Sequence, residues 1–324
     1  MASVKFNNIY IKDWLTIAGP LEKDSRLKKI DLHMDDYYFG EKSFEQAEAK
    51  MQSVVINNLL AKNKLATKDI DILVGGDLLD QISATSFAST NIPISLLGIY
   101  SACATFPESL IVSSMFLQDK GIKKALGVTS SHNLSAERQF RYPIEYGSPK
   151  PHTSTFTTTA AISTLLAKES GKVKIDSATI GKVTEMGVTD ANNMGAVMAP
   201  AAARTLYEHL KDLKRDLNYY DLILTGDLGC IGSEIFKEFC FRNYDLRLKK
   251  HLDAGCELYL KSQEVYAGGS GPACLPLVLF NKILTSTKYK KILIIGTGAL
   301  HSKTFVNQKC PIPAIAHAVS LEVL

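Results

Sequence analysis

The stretch Asp71-Ile-Leu-Val-Gly-Gly-Asp77-Leu78 returns 150 positions later as Asp221-Leu-Ile-Leu-Thr-Gly-Asp227-Leu228. Four of the eight positions are identical, and the apolar ones stay apolar. Each copy follows a helical pattern. Phe44, Ala47, Met51, Val54, Val55 and Leu59 recur at the three-four spacing of one buried face, and Ala199, Ala203, Leu206 and Leu210 do the same in the second half. Downstream, Lys123-Lys124-Ala-Leu-Gly-Val-Thr-Ser130 matches Lys290-Lys291-Ile-Leu-Ile-Ile-Gly-Thr297, short apolar strands each opened by a lysine pair. Between its two strands each half carries a small-residue turn and an apolar helix: Tyr100 to Thr105 before Leu110 to Leu117, and Tyr266 to Gly271 before Leu275 to Leu284. One eight-residue match arises by chance; two in the same order read as an internal duplication. Apolar strands alternating with helices require sheets covered on both faces, hence an α/β protein. Two such halves predict a layered α-β-α-β-α body. The division is expected between Leu166 and Val173, around Glu169-Ser-Gly-Lys172, giving halves 1–168 and 169–324 that share one interface.

A chain of 324 residues has the size for two such units. Its 46% hydrophobic and 22% charged residues exclude a disordered chain. The 37 Lys and Arg against 33 Asp and Glu leave a formal charge of +4, interspersed rather than gathered in the stripe of a nucleic-acid binder. Gln81 to Pro107 contains no charged residue. Its serines, threonines, Asn91 and Pro93 break it too often for a spanning helix, so it reads as a buried loop and strand of a soluble fold. Met1 to Tyr10 lacks the apolar run of a secretory signal. The six cysteines (Cys103, Cys230, Cys240, Cys256, Cys274, Cys310) form no CxxC pair and no zinc spacing. Reduced thiols in a cytosol-like compartment are therefore expected.

A duplicated α/β unit with Cys103 in the strand-to-helix turn Gly98-Ile-Tyr-Ser-Ala-Cys-Ala-Thr105 resembles the thiolase and ketoacyl-synthase superfamily. Unpaired amides at a helix start would stabilise a thiolate or an oxyanion there. Ile17-Ala-Gly-Pro20, Tyr38 to Ala47, Gly296-Thr-Gly-Ala-Leu-His301 and Ile312 to Ser320 resemble one branch, the stage V sporulation protein AD family. The resemblance runs over nearly the whole chain. It implies a thiolase-like fold and a protein of sporulation and germination that helps move dipicolinic acid (pyridine-2,6-dicarboxylic acid) into the spore. It further implies a soluble protein of the forespore and spore, peripheral at the spore inner membrane, with membrane partners from the same sporulation operon. The superfamily's two-fold dimers, in which the sheets of two subunits join, imply a homodimer.

Condensing enzymes of the ketoacyl-synthase III type pair their Cys with a His and an Asn. Where the resemblance places the His, this chain has Gly226-Asp-Leu-Gly229; where it places the Asn, Tyr266-Ala-Gly-Gly-Ser270. Losing one preorganised donor costs about a hundred- to a thousandfold in rate, so a non-catalytic binding protein is expected, with Cys103 vestigial. The alternative is a residual acyl-transferase using Cys103, with His132, His152 or His301 as a substitute histidine. For binding, Gly268, Gly269 and Ser270 let backbone approach a dianion and add a hydroxyl. Asp227 would repel a bare dianion; it would suit a calcium ion carried with dipicolinate, or cap the helix expected near Ser233. The loop read from Ser131 to His152 offers Arg138 and Arg141 to carboxylates and Tyr142 and Tyr146 to a pyridine ring, with a dimer contact as the competing role. Lys211 to Asp216 and Arg247 to His251 are expected to be solvated faces.

Overall fold

The computed structural model describes residues 2–141 and 150–324, with Arg141 described for its backbone alone. Ten strands and seven helices carry the architecture. The first half holds β1 (Tyr10–Ala18), β2 (Ile72–Gly76), β3 (Leu96–Gly98), β4 (Lys124–Ser131) and β5 (Ala160–Ala167). The second holds β6 (Val173–Ile180), β7 (Leu222–Thr225), β8 (His251–Asp253), β9 (Lys291–Ala299) and β10 (Ala314–Val323). The helices are α1 (Phe44–Lys62), α2 (Ser83–Ser89), α3 (Thr105–Gln118) and α4 (Asn133–Arg141), then α5 (Met194–Leu213), α6 (Gly229–Tyr244) and α7 (Cys274–Val278), the last continued by a π-turn over Leu279–Ile283.

Hydrogen bonding runs β8-β7-β9-β10-β6-β1-β5-β4-β2-β3. The order is its own mirror image: each strand of one half has its counterpart at the same distance from the centre. At that centre β6 and β1 meet through only two residue pairs, Tyr10 with Lys174 and Ile11 with Val173. The sheet is thus two five-stranded sheets touching at a corner, and they pack face to face with helices between them. The repeated aspartates set this register. Asp71 accepts from the backbone amides of Lys123 and Lys124 at 2.8 and 2.9 Å, and Asp221 accepts from those of Lys290 and Lys291, both at 2.9 Å.

The central layer is α3 and α7. Phe106 lies edge-on to Phe280 at 5.8 Å, and Trp14 stacks on Phe280 at 4.6 Å. The outer layers bury the faces that the periodicity predicts. Ala47, Met51, Val55 and Leu59 of α1 cover Leu73 and Val128, while Ala199, Ala203, Leu206 and Leu210 of α5 cover Ile223 and Leu293. Ser43 starts α1 by accepting from the Gln46 amide, and Asn193 starts α5 by accepting from that of Ala196.

Three expectations fail. Cys230 and Cys256 form a disulfide, with Cα atoms 4.8 Å apart; their spacing hides it because α6 and the short helix Ala254–Leu258 are brought together by a shared cap. The uncharged Gln81–Pro107 is not a buried strand. Its strand, β3, is an exposed edge where lack of charge marks an apolar surface, whereas α2 is half-buried and the Cys103 turn with the start of α3 lies in the interior as expected. Arg215 is no solvated charge: its guanidinium donates to Asp176, Ser177, Tyr220 and Ser320.

Candidate functional site

The segments that follow β2, β3, β4 and β9 converge on one face, where the two halves enclose a cavity of about 60 Å³. Its walls are apolar at Leu78, Ala102, Ala136, Met194, Met198 and Ala299 and aromatic at Tyr100, Phe140 and His301. Hydroxyls of Thr155, Thr157 and Ser270, the Cys103 thiol and Glu137 complete them. Glu137 is the one charged residue among these, and it is paired with Lys150 at 2.8 Å. An open groove of about 800 Å³ lies outside and shares Tyr100, Phe140 and His301, which stand at the mouth.

Cys103 sits in the predicted turn ahead of α3. Ala102 is left-handed at φ 50°, a conformation costly for a residue with a Cβ. The turn is held by Thr105, whose hydroxyl accepts from the Ser101 amide and donates to the Ala102 carbonyl. The amides expected to stabilise a thiolate are partly used: those of Ala104 and Thr105 donate to Ser101 and Ala102. Burial, and secondly the Asp227 carboxyl, push the thiol well above its ordinary range against the pull of the Gly271 amide. The sulfur is a thiol, not the thiolate that the turn suggested.

Asp227 occupies the turn after β7 at φ 75°, fully buried, with neither oxygen in a hydrogen bond of ordinary geometry. Burial first, then the Asp253 carboxyl, raise it well above the carboxylate range, opposed by the nearby Gly271 amide. It caps nothing. Helix α6 starts at Gly229, not near Ser233, and its cap is Asp253, which accepts from the amides of Leu228, Gly229 and Cys256 and from the Thr225 hydroxyl. Calcium demands six to eight oxygens. Among the described residues no group of three His, Cys, Asp or Glu side chains is placed to hold a metal ion, and a neutral Asp227 is a poor start for one.

Of the other expected residues, Ser270 and His301 line the cavity, His301 stacking on Phe140 at 5.2 Å. Gly268 and Gly269 form the wall behind Ser270. Gly268 needs its φ of 123°, and a Cβ on Gly269 would lie 3.0 Å from the Cys274 sulfur. At Gly226 a Cβ would come within 2.7 Å of Leu275, so the turn has closed over the space a larger side chain would fill.

His132 is elsewhere. It is buried against Phe44 and bonded to the Tyr37 carbonyl at 2.8 Å, and burial lowers it to about 4. His152 is exposed and does not line the cavity. Arg138 faces outward to Glu45 at 3.3 Å. The Arg141 side chain, Tyr142 and Tyr146 lie outside the described residues. The segment from Ser131 is not all loop, since α4 covers Asn133–Arg141. Its helical period turns Ala136, Glu137 and Phe140 to the cavity and Arg138 away, a spacing that could have found Glu137 and Phe140. Tyr100 stood within the quoted turn. Thr155, Thr157, Met194 and Met198 carry no local signal.

The family model described as Stage V sporulation protein AD matches residues 2–322 of the chain. The chain is 42% identical over 318 residues to the Stage V sporulation protein AD of Bacillus subtilis (strain 168), covering 97% of this chain and 94% of that one. Among solved structures, a Xanthomonas campestris OleA variant superposes with a TM-score of 0.63 at 13% identity over 98% of this chain and 99% of that one. The 3-oxoacyl-[acyl-carrier-protein] synthase III of Aquifex aeolicus VF5 superposes with a TM-score of 0.54 at 13% identity over 99% of each. At that identity the likeness is one of fold: the thiolase-like architecture that the duplication predicts.

Proposed function

We propose, from the premise that this chain belongs to the Stage V sporulation protein AD family, that it is a non-catalytic thiolase-fold binding protein for dipicolinic acid. One observation supports this most. The ancestral nucleophile position now floors a slot of flat rings and hydroxyls while its sulfur stays protonated. Phe140, His301 and Tyr100 suit the faces of a pyridine ring, and Thr155, Thr157 and Ser270 can donate to carboxylates. No lysine or arginine among the described wall residues faces the ligand's carboxylates, and a chelate whose calcium neutralises those carboxylates suits an apolar, hydroxyl-lined slot better than a bare dianion. In this reading any calcium arrives chelated by the ligand.

The reading continues to assembly and place. The edge of β3 presents exposed Leu96 and Leu97, with exposed Phe87 on the adjoining α2, as a surface for a two-fold partner. Delivery into the spore then runs through membrane partners of the same operon, with this protein peripheral at the spore inner membrane. No helix among the described residues is long and apolar enough to cross a membrane.

Dipicolinate with equimolar calcium should raise the melting temperature of the purified protein, following mass action. Ser270→Trp, which fills the slot, should abolish the rise. An unchanged melting temperature at millimolar ligand, with and without calcium, would sink the proposal. A second reading, residual acyl transfer, is favoured by the fact that His301 shares the cavity with Cys103. It requires an acyl mass on Cys103 after incubation with acyl-CoA thioesters, lost in Cys103→Ala.

A further inference from the structure

The Cys230–Cys256 bridge lies directly behind the wall that presents Ser270. Cys230 opens α6 and is exposed; Cys256 is half-buried in Ala254–Leu258. Both elements start on the carboxyl of Asp253. The Cys230 amide donates to the Ala267 carbonyl at 2.6 Å. Gly255, the neighbour of Cys256, is packed so closely that a Cβ would come within 2.1 Å of the Gly269 carbonyl oxygen. Each cysteine is therefore tied, through its own backbone or its neighbour's, to the segment 267–270 that ends in the cavity-lining Ser270. The fold singles out this pair, since Cys103, Cys240, Cys274 and Cys310 remain thiols and Cys240 and Cys274 are buried.

We infer that Cys230–Cys256 is a redox-modification site for a low-molecular-weight thiol, and that its state sets how firmly the Ser270 wall is held. The thiolate of one such molecule attacks the exposed Cys230 sulfur, forming a mixed disulfide and expelling Cys256 as a thiolate that takes up the proton. A second molecule attacks the mixed disulfide, leaves Cys230 as a thiol and departs as a small-molecule disulfide. The two small thiols are oxidised together and the bridge is reduced by two electrons. Without the bridge, α6 and Ala254–Leu258 keep the Asp253 cap and their packing but lose their covalent tie, and the segment 267–270, still paired with Phe156 and Thr157 on its other side, loses the clamp behind it.

The test uses the full chain purified without reductant. Alkylation under denaturing, non-reducing conditions should modify Cys103, Cys240, Cys274 and Cys310 and spare Cys230 and Cys256. Millimolar glutathione should then produce a glutathione adduct on Cys230 and, in excess, two further alkylatable thiols. The reduced protein should bind dipicolinate at least threefold more weakly, and oxidised glutathione should restore the affinity. Cys256→Ser should keep the weaker affinity in both conditions, whereas Cys310→Ser should still respond. Alkylation of Cys230 and Cys256 without reductant overturns the site, and an equal Kd in the two mass-verified states overturns the coupling. The affinity arm rests on the proposed ligand. If neither state binds dipicolinate, that ligand reading fails by itself, and hydrogen exchange over residues 265–271 decides the coupling: faster on reduction supports it, unchanged overturns it.

Discussion

Asp227 is the residue on which the pocket's chemistry turns. Burial holds both its carboxyl and the neighbouring Cys103 thiol protonated, because a negative charge on either would be desolvated and would oppose one on the other. Asp227→Asn replaces a neutral carboxyl with a neutral amide, so iodoacetamide should alkylate Cys103 at an unchanged rate at pH 8, as followed by mass spectrometry; a severalfold faster rate would show that Asp227 is ionised in the fold. Two further buried acids govern the response to pH. Glu22, which accepts from the Tyr259 hydroxyl and the Thr159 amide, is raised by burial from 4.5 to about 7. Glu48, which accepts from Ser130 and Ser135, is raised by burial and then by Asp77 to about 8. Both are neutral in the fold and ionised in the unfolded chain above pH 4.5, so their contribution is complete in acid and is lost as pH rises through 7 and 8. Above about pH 6.5, where the buried histidines His132, His209, His251 and His317 are neutral in both states, the melting temperature should therefore fall up to pH 8, by the equivalent of about 2 kcal/mol. Glu48→Gln should flatten that slope.

At the scale of elements, one carboxylate starts two helices. Asp253 accepts from Leu228 and Gly229 at the start of α6, from Cys256 at the next turn, and from the Thr225 hydroxyl on the neighbouring strand. Asp253→Ala should lower the unfolding free energy by about 2–3 kcal/mol in urea titration, more than a single lost cap, since several donors lose their acceptor at once. A loss under 1 kcal/mol would mean that packing, not the cap, places α6. The neighbouring α4 shows how an element sorts function from structure. Its period sends Glu137 and Phe140 inward and Arg138 outward to Glu45, so arginines that suit a dianion by chemistry are excluded by the side of the helix on which they fall.

Across the whole molecule, the mirror-image strand order leaves two sheet edges, β3 and β8, and their surfaces differ. The chain into β8 runs Arg247-Leu-Lys-Lys250 with its charges exposed, while the chain into β3 is uncharged from Gln81 onward. Charge on an edge blocks pairing with another copy, and its absence invites it. Leu97→Lys should therefore convert the proposed dimer to a monomer in sedimentation velocity at micromolar protein, with the fold intact by circular dichroism. A wild-type chain that sediments as a monomer would remove the proposed role of β3.

The duplication, the α/β class, the buried faces of α1 and α5 and the Cys103 turn were legible in the residues alone. Each is written in spacings of three, four or two along the chain or in an eight-residue stretch repeated whole, and local periodicity survives whatever the distant chain does. Ser270 and His301 could be nominated because their turns stand in the repeat. The partnership of Cys230 with Cys256, the neutral burial of Asp227, the cap at Asp253 and the removal of His132 and Arg138 from the cavity belong to tertiary structure. Each depends on which segment, tens to hundreds of residues away, comes to rest against it. Desolvation and hydrogen-bond geometry, which decide whether an acid is charged or a thiol reactive, exist only once those segments have packed.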